Sequence, residues 1–213
     1  VSARAHVSVF RDDVVVRQGY AESRTPHEGR PLDVLRRLMA GYTLADLPGL
    51  PRFCGGLVGY LAYEMAHFFE PRIPNRLPAE KPLAQFVIPD ALLVFDSVTH
   101  TLTVIALAFT ADGGDADALH DAARARVDDL LAALERPLPP PRSPRRPAAP
   151  AVPLPTRPEQ EFLDNAALVK RHIAEGDIIQ CVLSQSFACA APGEMTGLYR
   201  AQRYINPSPY LYL

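Results

Sequence analysis

The sequence predicts an α+β protein, in which strands paired as hairpins alternate irregularly with helices. Two short runs of β-branched and apolar residues, at 5–10 and 14–17, flank a polar turn, which is the pattern of a hairpin. Residues 119–134 instead repeat apolar side chains at helical spacing. No strand–helix–strand unit recurs along the 213 residues, so a doubly wound parallel sheet is not expected.

The positions of proline and glycine predict one helix and one strand in the first half of the chain. Pro31 opens a helix that Gly41 ends, because proline fits the first helical position and glycine the position just past the last. The apolar face of this helix is Leu32, Val34, Leu35, Leu38 and Met39. Residues 53–62 are apolar and interrupted by glycine, which predicts a buried strand that another backbone approaches closely.

The rest of the first half continues the mixed pattern. Residues 63–69 are predicted as a short helix, and 91–96 with 101–109 as a second hairpin. The helix at 119–134 has acidic residues near its start, where the helix dipole favours them. Its apolar stripe is Leu119, Ala123, Val127, Leu130 and Leu134.

A proline-rich segment divides the chain into three parts. Residues 137–158 contain ten prolines and four arginines but almost no large apolar side chains, so they are predicted to be a semi-rigid spacer. The predicted domains are therefore 1–136, the spacer 137–158, and 159–213. In the third part, the pattern predicts a helix at 159–175 stopped by Gly176, a strand at 178–187 and a helix at 196–205.

Composition excludes several classes of function. With a net charge of −2, the chain has no excess of basic residues of the kind that binds nucleic acid. Its apolar runs are too short to span a membrane. The cysteines are odd in number and form no C-x-x-C pair, which favours a reducing cytoplasm over a disulfide scaffold, and Cys181 and Cys189 are expected in the core or a sheet. The missing initial methionine and the apolar end at Leu213 are interpreted as cuts through a longer chain.

Two motifs that resemble ligand-binding sites are better explained by packing. The glycine run at 54–59 lacks both the Lys-Ser/Thr of a phosphate loop and the spacing of a dinucleotide fingerprint. Glu64 and His67 lie one helical turn apart, as metal ligands would, but a di-metal site needs further carboxylates and a second such pair. No motif in this sequence is sufficient by itself to identify an active site.

Two segments after the spacer resemble a known family. Residues 176–185 read Gly-Asp-Ile-Ile-Gln-Cys-Val-Leu-Ser-Gln, and residues 206–210 read Asn-Pro-Ser-Pro-Tyr after an Arg200-x-x-Arg203 helix. Both resemble the chorismate-utilising enzymes, in the form found in component I, the synthase subunit, of anthranilate synthase. Before the spacer, Phe-Cys-Gly-Gly-Leu-Val-Gly-Tyr at 53–60 and the Pro-Asp…Phe-Asp…His pattern at 89–100 are similar to the same subunit.

The resemblance implies a fold and a reaction. The family fold is two β-sheets packed face to face with helices outside, and it is expected to be incomplete in this chain. The reaction joins chorismate to ammonia, needs Mg2+, and releases anthranilate and pyruvate at the start of tryptophan synthesis. Ammonia comes from a glutamine amidotransferase subunit, component II. The magnesium ligands and acid–base groups are expected beyond Leu213, so no metal ligand is predicted within this chain and the chain alone is expected to be inactive.

The resemblance also assigns site residues. Gln180 matches the position near the nucleophile, where relatives that add water to chorismate carry a lysine. Lysine can act as a base once desolvated, whereas glutamine cannot titrate, which fits a neutral ammonia nucleophile. Asn206, Pro209, Tyr210 and Leu211 match the segment that contacts L-tryptophan, the feedback inhibitor, with Leu211 where the family usually has methionine. A merely structural role of Gln180, as a buried amide orienting its neighbours, stays open.

Three other functions are weighed against anthranilate synthase. Aminodeoxychorismate synthase shares the fold, chorismate and ammonia, but its segments usually read differently around 183–185 and 206–209. Isochorismate and salicylate synthases are disfavoured by Gln180. A non-catalytic tryptophan-sensing or subunit-docking fragment is the alternative from another class.

Overall fold

The computed structural model describes residues 3–45, 47–76, 78–137, 152–190 and 195–213. The chain divides into two compact units, Val1–Leu138 and Pro139–Leu213, called the first and second unit below. No helix in these described ranges is both long enough and apolar enough to cross a membrane.

The first unit is built on a five-stranded antiparallel sheet. Its strands lie in the order β3-β2-β1-β5-β4, so the strand nearest the start of the chain is at the centre. One helix, α1, and a 3-10 helix lie between the strands in the sequence. The elements are β1 (Ala3–Val9), β2 (Asp13–Gln18), β3 (Ala21–Pro26), α1 (Pro31–Ala40), β4 (Val58–Leu61), the 3-10 helix (Tyr63–Phe68) and β5 (Ala84–Pro89).

The core of this unit lies between the sheet and the helices. Val7 and Val9 of β1 are fully buried, and Val34 and Leu35 of α1 join them in one apolar cluster. Met65 of the 3-10 helix belongs to the same cluster. Burying side chains of this size contributes about 1.5–3 kcal/mol each, so this cluster is the main source of stability in the first unit.

His27 connects three parts of the first unit. Its side chain is buried, its Nδ1 accepts a hydrogen bond from the Gly29 N–H at 3.1 Å, and its Nε2 lies 3.1 Å from the Phe10 carbonyl oxygen. An imidazole that accepts at Nδ1 donates from Nε2, so both ring nitrogens are satisfied in one neutral tautomer. The ring also packs edge-on against Phe68, which holds the 3-10 helix beside the β1–β2 turn.

A second hairpin and a long helix complete the first unit. Strands β6 (Ala91–Asp96) and β7 (Thr101–Ala106) pair antiparallel, and α2 (Ala116–Glu135) packs on β7. The Asp96 carboxylate accepts backbone hydrogen bonds from Thr99 at 3.0 Å and Val98 at 2.8 Å. These N–H donors lower the pKa of Asp96, because they favour its ionised form, and they fix the turn of the hairpin.

In its described residues, the second unit contains two helices and one short strand pair. Its elements are β8 (Leu154–Pro155), α3 (Glu159–Glu175), β9 (Phe187–Ala188) and α4 (Met195–Ile205). Strands β8 and β9 pair antiparallel, and the Thr156 N–H donates to the Ser186 carbonyl oxygen at 2.9 Å. This pairing ties the chain just before α3 to the chain well after it.

Most predicted elements are confirmed, and with them the α+β class. Both hairpins, α1 and α3 have the predicted positions, and the predicted helices at 63–69, 119–134 and 196–205 are present with slightly different ends. Three strands, β3, β5 and β8, were not predicted, and β8 lies within the predicted spacer. Most of the predicted spacer, residues 138–151, lies outside the described residues.

Three predictions about strands and cysteines are wrong. The strand at 178–187 is not formed: only Phe187–Ala188 pairs, because this unit offers no further strand as a partner in its described residues. The strand within 53–62 is only β4, which is exposed rather than buried because it lies at the sheet edge. Cys181 and Cys189 are exposed as well: Cys181 lies in no strand, and Cys189 follows β9, both residues of which are exposed.

The predicted close approach of two backbones is found at Gly59. A Cβ at this position would lie 2.7 Å from the Cα of Phe86 and even closer to the Gln85 carbonyl oxygen, both in the backbone of β5. Such a contact forces two strands apart, because backbone atoms cannot move away as the tip of a side chain can.

We expect Gly59→Ala to lower the free energy of unfolding by about 1–3 kcal/mol, the usual cost of overpacking. Gly55→Ala is the matched control, because its added Cβ would meet only the Leu107 side chain, at 3.4 Å. The control should be unchanged or up to about 1 kcal/mol more stable. Urea unfolding followed by circular dichroism measures both. Equal effects of the two substitutions would contradict the packing argument.

Candidate functional site

The helix α3 positions the segment that contains Gln180. Glu159 and Glu161 lie in its first turn, where the helix dipole favours negative charge. The helix ends at Gly176, whose φ of 83° is left-handed and therefore suits glycine. The Gly176 N–H donates to the Ile173 carbonyl oxygen at 3.2 Å, and the Asp177 N–H donates to the His172 carbonyl oxygen at 3.0 Å.

Gln180 lies in a stretch without regular secondary structure after this cap and is exposed. Within the described ranges its side chain makes no hydrogen bond. Its neighbours Ile179 and Val182 are also exposed, at 98 % and 84 %. Further along, the Gln185 side-chain amide donates to the Arg157 carbonyl oxygen at 3.1 Å, which anchors the far end of the stretch. Gln180 is therefore exposed and makes no side-chain hydrogen bond within the described part of the second unit.

The predicted tryptophan-contact residues follow α4. The Asn206 N–H donates to the Gln202 carbonyl oxygen at 2.9 Å and so continues the last turn of the helix. Pro209 and Tyr210 are exposed, the latter at 77 %, and Leu211 is half-buried. An exposed aromatic ring beside a half-buried apolar side chain offers a surface on which a flat apolar group can pack.

Gln180 and the four predicted tryptophan-contact residues lie in the second unit, but no bond joins the two groups. Among the described residues, no hydrogen bond, ion pair or ring contact links Gln180 to Asn206, Pro209, Tyr210 or Leu211. Two surface clefts, of about 140 and 530 Å³, lie in the first unit and are lined by none of the five. Neither of these two clefts therefore brings the predicted site residues together.

His67, one member of the Glu64 and His67 pair, has a packing role. The His67 Nδ1 lies 2.6 Å from the Ile73 carbonyl oxygen, to which it donates a hydrogen bond. The His67 ring also packs against Phe68 at 5.7 Å between centroids. This histidine holds the loop after the 3-10 helix in place.

Comparison with known proteins decides the family. The family model described as chorismate binding enzyme matches residues 5–213. This chain belongs to the chorismate binding enzyme family. The sequence resemblance to chorismate-utilising enzymes is thereby confirmed.

Curated relatives of this chorismate binding enzyme have one name in common. The anthranilate synthase component 1 of Synechocystis sp. is 34 % identical over 207 residues, covering 92 % of this chain and 40 % of that protein. The protein of the same name from Streptomyces coelicolor is 36 % identical over 196 residues, covering 88 % of this chain and 37 % of its own length. The chain thus spans about two fifths of the length of these relatives.

A solved structure supports the fold. The crystal structure of anthranilate synthase component I from Streptococcus pneumoniae TIGR4 matches with a TM-score of 0.73 at 24 % identity, covering 100 % of this chain and 46 % of that one. At this identity the likeness concerns the fold. The predicted component I fold is confirmed over the part that this chain represents.

One group of possible metal ligands was missed by the sequence reasoning. His172, Glu175 and Asp177 of this chorismate binding enzyme place one ligand atom each within 4.8 Å of one another. The signal was present in the sequence, since positions 172 and 175 share a helix face and Gly176 turns the chain back before Asp177. An imidazole does not fit the all-oxygen ligand set that Mg2+ prefers, so this group is not the magnesium site implied by the resemblance.

The cap that positions the Gln180 segment can be tested at its glycine. Because Gly176 has a left-handed φ and nothing within 4 Å of an added Cβ, Gly176→Ala introduces backbone strain alone. We expect a loss of about 1–2 kcal/mol in the free energy of unfolding. Gly41→Ala is the control, since Gly41 follows α1 with an ordinary right-handed φ of −77°. Thermal unfolding of the two variants should differ, and equal melting temperatures would refute the strain at Gly176.

Proposed function

We propose that this chain is part of the synthase subunit of anthranilate synthase, which converts chorismate and ammonia to anthranilate and pyruvate. Such an enzyme is a carbon–oxygen lyase of tryptophan biosynthesis. The observation that carries the proposal is the 34 % identity to an anthranilate synthase component 1 over 92 % of the chain. The Gly-Asp-Ile-Ile-Gln segment at 176–180 supports it, because glutamine stands where water-adding relatives carry lysine.

The proposed role of Gln180 follows from the chemistry of an amide. Glutamine donates and accepts hydrogen bonds but does not titrate, so it cannot remove a proton from water. Ammonia attacks through its own lone pair and needs no base to generate a nucleophile. An amide at this position therefore orients the incoming ammonia without turning water into a competitor. The exposure of Gln180 is compatible with this role, since its amide is not used inside the second unit.

The proposed partners and ligands follow from the same assignment. A glutamine amidotransferase subunit supplies ammonia, and Mg2+ neutralises carboxylate charge on chorismate from ligands beyond Leu213. L-Tryptophan binds as a feedback inhibitor at Asn206, Pro209, Tyr210 and Leu211, where an indole packs on the exposed Tyr210 ring. The proposed compartment is the cytoplasm, where the three cysteines stay reduced.

The assay for this function uses the full gene product that contains residues 1–213. With chorismate, an ammonium salt and Mg2+, we expect a fluorescent product identified as anthranilate, which is lost when chorismate is omitted. Residues 1–213 produced alone should form none, because the magnesium and acid–base positions are expected elsewhere. Formation of 4-amino-4-deoxychorismate would favour aminodeoxychorismate synthase instead. Tryptophan binding without any product from either preparation would favour a sensing function.

Gln180→Lys, made in the same full gene product, tests the role of the amide. A base-competent amine beside the path of the nucleophile should slow ammonia-dependent anthranilate formation. Loss of a positioned hydrogen bond costs about 1–3 kcal/mol, which is roughly a ten- to hundredfold fall in rate. The melting temperature is measured on the same preparation. A rate per folded molecule that stays unchanged, with no isochorismate detected, would show that Gln180 has no part in the chemistry.

A further inference from the structure

We propose that His172, Glu175 and Asp177 form a binding site for a divalent transition-metal ion such as Zn2+ or Co2+. The ligand atoms that these three side chains offer lie within 4.8 Å of one another, so one ion can contact all three after small side-chain rotations. The site lies at the carboxyl end of α3. The proposal of this site does not depend on the proposed synthase reaction.

The backbone brings the three side chains together. His172 and Glu175 are three residues apart in α3 and therefore occupy one face of its last turn. The left-handed Gly176 then reverses the chain, so that Asp177 folds back over this turn. The result is a distance of 2.8 Å between the Asp177 carboxylate and the His172 Nδ1. The ligand set is thus held by a helix and its cap.

The negative charge at the carboxyl end of α3 favours the binding of a cation. Carboxyl ends of helices carry partial negative charge, so Glu175 and Asp177 are placed where the helix dipole disfavours them. Neither carboxylate caps this helix end, because carboxylates and carbonyls are both acceptors; the Gly176 and Asp177 backbone N–H groups donate to the Ile173 and His172 carbonyl oxygens instead. Among the residues that the structure describes, no lysine or arginine pairs with either acid. A divalent ion between the two carboxylates removes their mutual repulsion and complements the dipole.

The ligand types select the class of metal. One imidazole nitrogen and two carboxylate oxygens suit Zn2+, Co2+ and Ni2+, whereas Mg2+ and Ca2+ prefer oxygen alone. Three protein ligands leave the remaining coordination positions to water, because the two carboxylates are exposed. The site is therefore expected to exchange its metal readily and to prefer Zn2+ over Mg2+.

The test is a titration of the metal-free, tag-free chain with Zn2+ by calorimetry and with Co2+ by visible absorption. Exposed thiols also bind these metals, so the parent protein for all measurements carries Cys181→Ser and Cys189→Ser. We expect one ion per chain, and binding more than tenfold weaker in His172→Ala and in Asp177→Asn, since even indirect ligand partners contribute ten- to hundredfold. His120→Ala is the matched control, because His120 is also an exposed helical histidine, 3.6 Å from an aspartate, and it should bind like the parent.

Circular dichroism of each variant verifies that α3 is still helical, so that lost binding is not confused with lost structure. The proposal is overturned if the parent binds no Zn2+, or if His172→Ala binds as tightly as the parent. An equal loss of affinity in His120→Ala would show scattered surface binding and would overturn it too. None of these outcomes depends on anthranilate formation, so failure here is distinguishable from failure of the proposed function.

Discussion

The pairing of β1 with β5 is the constraint on which the first unit depends. The strands run antiparallel with Val7 opposite Phe86 and Val9 opposite Ala84, so residues almost eighty positions apart become neighbours. All of β2, β3, α1, β4 and the 3-10 helix lies within the loop that this pairing closes. Closing such a loop has an entropic cost, and the apolar cluster that includes Val7 and Val9 of β1 and Ala84 of β5 helps to offset it. The pairing therefore positions the core and is stabilised by it.

Local elements could be predicted from the sequence, and long-range ones could not. Hairpins and capped helices can be recognised from a few consecutive residues, because turns need particular residue types and helices repeat apolar side chains at a fixed spacing. The strand β3, Ala-Glu-Ser-Arg-Thr-Pro, has no apolar pattern, and it is held by β2 and by ion pairs such as Arg24 with Asp13. Conversely, residues 178–187 have the composition of a strand but find no partner strand in the described part of their unit. Composition expresses a tendency to pair, whereas a strand exists only where a neighbour supplies hydrogen bonds.

The same difference between local and long-range features applies to the candidate site. Gln180 and the tryptophan-contact residues were found by resemblance, and the structure places them on exposed segments after α3 and α4 without joining them. The residue types indicated what each side chain can bind or pack against. How these side chains are arranged depends on tertiary contacts, which a sequence motif does not specify. The grouping of His172, Glu175 and Asp177 was missed for a different reason. Gly176 was interpreted only as the end of a helix, although the same left-handed turn determines which side chains meet around it.

The two edges of the five-stranded sheet differ in chemistry, and this difference determines at which edge a further strand can pair. The β3 edge carries Glu22 and Arg24, and charges on an outer strand discourage sheets from joining. The β4 edge carries Val58, Tyr60 and Leu61, all exposed and none charged. A further strand can therefore pair at β4 without burying a charge, whereas pairing at β3 would bring Glu22 and Arg24 against it.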